Sequence, residues 1–173
     1  AEAVGNLKDD APPLAADPAA LASLTTAVGG RQLWLAASTH PGEEAMVGAA
    51  HARLQESCPE TLLVVVPRHP HRGPEIAAEL GAAGFDVGLR SAGAPLGGEI
   101  TIADGLGELG LFFRLADVAF IGGTLVPHGG HLRDDASPGR VVLDLGADPC
   151  GDHLAAAAQQ RHGGLVAGGL QAE

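Results

Sequence analysis

The chain has 173 residues, 46% of them hydrophobic but only 3% aromatic, with no Tyr and a formal net charge of -11. That length supports one domain with a real core, and the scarcity of aromatics means the core is built from Ala, Leu and Val. The acidic balance excludes broad binding to a nucleic-acid backbone, which needs clustered Lys and Arg, but leaves room for a nucleotide in a local pocket. No apolar run approaches the about 18 residues of a membrane span. Cys58 and Cys150 show no CxxC spacing, so neither a zinc site nor a disulfide framework is expected, and a reducing, cytoplasmic setting is the default. The first residues, Ala1 to Gly5, lack the basic and apolar regions of a signal peptide; a chain that starts without Met is expected to be a fragment.

Residues 1–17 are rich in Pro, Ala and Asp, and Pro12, Pro13 and Pro18 interrupt any continuous helix, so this stretch reads as a linker. Residues 18–173 then form the domain. Asp17 and Pro18 suit the start of a helix that runs to Val28 and stops at Gly29-Gly30. Leu33 to Ala37 is the first core strand. Glu43 and Glu44 open a helix reaching Glu56, with Met46, Ala50 and Leu54 on one face. Thr61 to Val66 is the clearest buried strand. A helix over 74–83, closed by Gly84, follows, then strands over 85–89 and 100–103, a helix to Ala116 and a strand over 117–121. Val141 to Leu143 is a sixth strand and His153 to Arg161 a short Ala-rich helix; the last residues are expected to fray.

Strands alternating with helices at this spacing indicate an α/β, doubly wound parallel sheet. In such a sheet the loops after the strands share one edge, where ligands bind. Four polar or glycine-rich loops therefore converge: Ser38-Thr39-His40, Arg68-His69, Gly107-Glu108 and Gly122-Gly123-Thr124. The last of these belongs to the stretch from Ala119 to His131, around which the chain is organised. A buried strand there opens into Gly122-Gly123-Thr124 and then a second Gly-Gly between His128 and His131. Glycines admit close approach of a ligand and positive φ, and their amides suit phosphate oxygens. A lone Gly-Gly reads as a tight turn; two pairs with Thr124 and His131 favour a site.

Arg68 directly follows the best strand. Its planar fork of donors matches phosphate oxygens; the alternative is a surface salt bridge. Glu108 is either a helix-start carboxylate that favours the dipole or an acceptor for ribose hydroxyls, and Glu43 and Glu44 carry the same ambiguity. His69, His71, His128 and His131 lack metal-ligand spacing, so no metal site is expected. Ser38 and Thr39 have no partner base, which argues against nucleophilic catalysis. No P-loop and no GxGxxG follows the first strand, which disfavours an ATPase or a dehydrogenase, and no cofactor is expected.

Blocks in order carry a family resemblance: Gly5-Asn6-Leu7-Lys8; Trp34 to Glu44; Val66 to Arg72; Gly107-Glu108-Leu109; Phe120 to Leu125; and Gly129-Gly130-His131. Together they resemble the C-terminal half of 3-deoxy-D-manno-octulosonic acid (Kdo) transferases, lipid A glycosyltransferases of Gram-negative bacteria in glycosyltransferase family 30. The resemblance implies the Rossmann-like C-terminal domain of a GT-B glycosyltransferase, with CMP-Kdo as donor. The family's CMP contacts fall on Pro67 and Arg68 and on Leu106, Gly107 and Glu108. In the family Gly-Gly-His continues to a Leu-Glu-Pro nucleotide contact; here the chain reads Leu132-Arg133-Asp134-Asp135-Ala136, and Asp134 takes the glutamate's place if one residue is missing. Asp9 stands for the family's Phe, and Ala103-Asp104-Gly105 for its Gly-Asp-Thr. Residues 132–173 thus depart from the family pattern.

The resemblance further implies that the catalytic base, the surface for the lipid A precursor and the attachment to the cytoplasmic face of the inner membrane belong to an N-terminal half. No catalytic residue is therefore expected in this chain, which alone should bind CMP and transfer nothing. Ser38, Thr39, His40 and Glu43 are further candidates for the cleft. Two other readings stand beside this one: a non-catalytic nucleotide-binding or interaction module, and an inactive fragment.

Overall fold

The computed structural model describes residues 14–123, residue 125 and the backbone of residues 142–143. Most of the expected linker, Thr124, His128, His131, Asp134 and the expected helix over 153–161 lie outside the described residues. Within them the order is α1 (Pro18–Val28), β1 (Leu33–Thr39), α2 (Glu43–Gln55), β2 (Leu62–Pro67), α3 (Gly73–Ala82), β3 (Val87–Leu89), β4 (Ile100–Ile102), α4 (Leu109–Leu115), β5 (Val118–Ile121) and β6 (Val142–Leu143).

The sheet runs β3-β4-β2-β1-β5-β6. The first five strands are parallel. β6 pairs antiparallel with β5 over two residues, an edge addition to the wound sheet rather than a further crossover strand. After β1 the chain builds one side of the sheet, through β2, and then crosses back through α4 to place β5 on β1's other side. The junction of β1 and β5 is thus a topological switch point.

β1 and β2 read as continuous apolar runs because both faces of the sheet are covered. Trp34, Ala36, Leu63 and Val65 point into one layer with Val47 and Leu54 of α2 and Ile76 and Leu80 of α3. Their neighbours Leu33, Leu35, Leu62 and Val64 point the other way, onto Leu24 and Val28 of α1 and Leu111 and Phe112 of α4. This is the two-residue period of a strand serving two cores. The α2 and α3 helices approach closely at Gly48, where an added Cβ would lie 2.8 Å from Leu80 Cδ2.

The ends of α1 follow from the sequence. Pro18 opens it, the Asp17 carboxylate accepts the Ala20 N–H at 3.0 Å, and Gly29 closes it at φ 65 while donating to Thr25 O.

Two expectations are corrected. Met46 is 44% exposed, not inward. The inward row of α2 is Glu43, Glu44, Val47, His51 and Leu54, because three polar residues find partners beneath the helix and turn that side toward the sheet. Cys58 is buried and disulfide-bonded; its partner lies outside the described residues, and a pairing that distant in sequence leaves no local spacing to read.

Candidate functional site

Because β1, β2, β4 and β5 are parallel and in register, their following loops all lie on one edge of the sheet. Ser38, Arg68, Gly107 and Gly122 are therefore brought to the same edge.

The end of β1 is irregular. The register shifts between Ala37 and Thr39, and Ser38 stands at φ 55, the single non-glycine residue with positive φ among those described. Such a conformation costs of order 1–3 kcal/mol and persists where the surroundings enforce it. The bulge lets Thr39 continue the strand opposite Pro67, and Thr39 O accepts the Arg68 N–H at 3.0 Å. Thr39 is buried, and its hydroxyl has no hydrogen-bond partner among the described residues.

Glu43, at the first turn of α2, is fully buried. Its Oε2 accepts the His40 N–H at 2.9 Å, both its oxygens lie 2.9 Å from the Gly123 N, and Oε1 accepts the Leu125 N–H at 3.0 Å. Gly122 donates to Ala37 O at 2.8 Å. Gly122 has no room for a side chain: an added Cβ would meet Ser38 O, and would lie 2.7 Å from both Glu43 Oε2 and Thr39 Cα. Gly123, at φ +92, turns the chain so that its own amide also faces the carboxylate. The amide of Gly123, which the sequence offered to a phosphate, is thus engaged by Glu43.

On the other side of β1 the loops are joined by charged side chains. Arg72, buried in the 3₁₀ turn Pro70–Arg72, donates to Glu44 Oε1 at 2.7 Å, with Glu44 itself fully buried. Glu108 occupies the N-cap position of α4, yet its side chain caps nothing. Arg90, following β3, holds it instead, with Nη2 2.5 Å from Oε1 and Nε 3.4 Å from Oε2. Asp104 accepts the Ser91 N–H at 2.9 Å and lies so near Gly73 that an added Cβ there would sit 2.6 Å from Oδ2.

Of the three arginines at this edge among the described residues, Arg72 and Arg90 are paired with carboxylates. Arg68 is exposed, and its guanidinium takes part in no ion pair or hydrogen bond among the described residues. Pro67 is buried at the end of β2, whereas Leu106 is 90% exposed and Gly107 stands at φ +88 beside it. The rings of His69 and His71 stack with centroids 5.7 Å apart. No group of three or more His, Cys, Asp or Glu able to hold a metal occurs among the described residues. Sequence reasoning missed Arg90 and Arg72 as organising groups. Their partners lie 18 and 28 residues away, beyond the reach of any local pattern.

The molecule is thus an α/β domain with helices on both faces of a parallel sheet and its polar loops gathered at the carboxyl edge. No protein-family model matches the chain. It is similar to the 3-deoxy-D-manno-octulosonic acid transferase of Haemophilus influenzae, 41% identical over 104 residues, covering 58% of this chain and 24% of the relative. The enzyme of the same name from Bordetella pertussis is 38% identical over 122 residues, 66% of this chain and 28% of that one. A probable mitochondrial 3-deoxy-D-manno-octulosonic acid transferase of Arabidopsis thaliana is 38% identical over 117 residues, 65% and 26% of the two chains. The crystal structure of the C-terminal CMP-Kdo binding domain of WaaA from Acinetobacter baumannii matches with a TM-score of 0.55 and 33% identity, over 64% of this chain and 63% of that one. The chain is a homologue of the Kdo transferases, with the fold of that C-terminal domain. It spans about a quarter of the length of these three curated relatives.

Proposed function

We propose that this chain is the CMP-Kdo-binding domain of a GT-B Kdo transferase, occupying residues 18–173 behind a linker. The observation that carries the reading is the division of labour among the three described arginines at the carboxyl edge. Two are spent on carboxylates, and Arg68, directly after β2, remains for an anion. The 33% identity to a CMP-Kdo binding domain makes the phosphate of CMP-Kdo the anion of choice.

In this reading Arg68 neutralises the phosphate through charge-assisted hydrogen bonds. Pro67, Leu106 and Gly107 line the nucleotide, and Glu108, already oriented by Arg90, accepts a ribose hydroxyl. Gly122, Gly123, Thr124, His131 and Asp134 complete the donor side. Stabilising the departing CMP is this domain's share of transition-state binding. The acceptor is a lipid A precursor, the reaction serves lipopolysaccharide biosynthesis, and the complete enzyme works at the cytoplasmic face of the inner membrane. Membrane attachment belongs, in this reading, to the N-terminal half of that enzyme; none of the described helices is long and apolar enough to cross a membrane.

Calorimetry with CMP and UMP tests the assignment. CMP is expected to bind in preference, and Arg68→Ala to weaken it by about 1.5–3 kcal/mol, the worth of a hydrogen bond to a charged group. Equal binding of both nucleotides reduces the site to a generic one, and an unchanged affinity in Arg68→Ala removes Arg68 from it.

A further inference from the structure

A run of backbone N–H groups converging on one point is an anion site. Here such a site is formed by the amides of His40, Gly123 and Leu125, beside the first turn of α2 at the switch point between β1 and β5. The chain fills it with its own carboxylate, Glu43. We propose that Glu43 is a positioning residue for the donor nucleotide: it fixes the segment after β5 against the loop after β1, and so sets one wall of the donor site.

The geometry supports this from both partners. A carboxylate offers about four lone-pair sites and no donor, and this one takes N–H groups both from its own loop and from a segment 80 residues later in sequence. Gly122 has no side chain because the carboxylate and the backbone of Ser38 and Thr39 occupy that space. With the amide of Gly123 committed in this way, the phosphate is left to Arg68 on the other side of β1. Glu43 therefore acts without touching the nucleotide, as neither catalytic base nor ribose acceptor. The inference rests on the donor reading above.

The 173-residue chain carrying Glu43→Gln or Gly122→Ala, and the double variant, tests it with two readouts. The first, without nucleotide, is hydrogen-exchange protection of the Gly123 and Leu125 amides by NMR. The second is CMP affinity of the folded protein. Glu43→Gln places an amide NH₂ among donors. It should reduce protection at both amides and weaken CMP about tenfold. Gly122→Ala, which keeps the carboxylate but displaces it, should do the same, and serves alone if the glutamine variant does not fold. The double variant should lose no more than the worse single one. Acetate or formate added to Glu43→Gly should restore affinity in part. Lost protection with wild-type CMP affinity would overturn the positioning role and leave a structural one. Unchanged protection would overturn the clamp itself. If the unaltered chain binds no CMP, the donor reading falls and the nucleotide half of this proposal with it, while the protection measurement still decides the clamp.

Discussion

At the carboxyl edge of the sheet α2 presents two buried carboxylates, Glu43 and Glu44; toward the amino edge the same helix presents a buried imidazole, His51. The carboxylates gather donors from loops: backbone amides for Glu43, a guanidinium for Glu44. His51 accepts the Trp34 Nε1–H on Nδ1 at 3.1 Å. An indole nitrogen only donates, so the His51 proton is on Nε2, which donates to Glu99 O at 3.1 Å. The groups α2 presents are thus carboxylates at one edge and a neutral imidazole in a fixed tautomer at the other. The carboxylates order the loops of the carboxyl edge, whereas His51 ties the starts of β1 and β4 together beside the carboxylates of Asp117 and Glu99, which accept the Leu33 and Asp86 N–H groups.

The largest effect should come from breaking the charged edge. Arg72→Met leaves the Glu44 carboxylate buried without its cation. Removing one partner of a buried pair costs about 3–5 kcal/mol. Urea unfolding should show that loss, and adding Glu44→Gln should recover part of it. A cost below about 1 kcal/mol would mean that water reaches Glu44 and the edge is not held by this pair.

The imidazole tie at the amino edge should break with acid. Burial lowers the His51 pKa from 6.5 to about 4, outweighing the opposing hydrogen bond and charge of Glu99. The unfolded chain therefore takes up the proton first. The contribution is complete above about pH 6.5 and is lost as the pH falls toward 4, with a limit of about 3 kcal/mol. Unfolding free energies measured from pH 7 to 4.5 should fall accordingly, and His51→Leu should flatten the part of that slope above pH 5. An equal slope in the variant would assign the titration to other groups.

The contrast between the edges also separates what was legible in the sequence from what was not. α1 was legible to the residue because its signals are local: Asp17 and Pro18 at one end, Gly29 at the other. The parallel sheet and the shared edge of its loops were legible because strand and helix periods alternate cleanly. Met46 was misplaced because an apolar residue was assumed to face inward, while the inward row is set by polar groups with remote partners. Gly122-Gly123 was read as a loop whose amides face phosphate oxygens; that the Gly123 amide faces a carboxylate was not legible, since Glu43 lies 80 residues earlier.

The smallest stability effect sharpens the comparison within the charged edge itself. The Arg90–Glu108 side chains are each about a quarter exposed, at 24% and 25%, unlike the buried Arg72–Glu44 pair. Solvent screens such a pair, and partly exposed ion pairs contribute about 0–1 kcal/mol. Arg90→Gln should thus leave the urea midpoint almost unchanged. Its effect on CMP should be larger than its effect on folding, because a released Glu108 carboxylate samples several rotamers and must be ordered again on binding. The expected outcome is a several-fold weaker CMP affinity with a folding cost under about 1 kcal/mol, and Arg90→Lys should restore little of it, since a point charge cannot hold both oxygens as the fork does. Full restoration by Lys would mean that charge alone matters at this position. Loss of stability matching that of Arg72→Met would mean that the two ion pairs carry the edge equally and that exposure does not distinguish them.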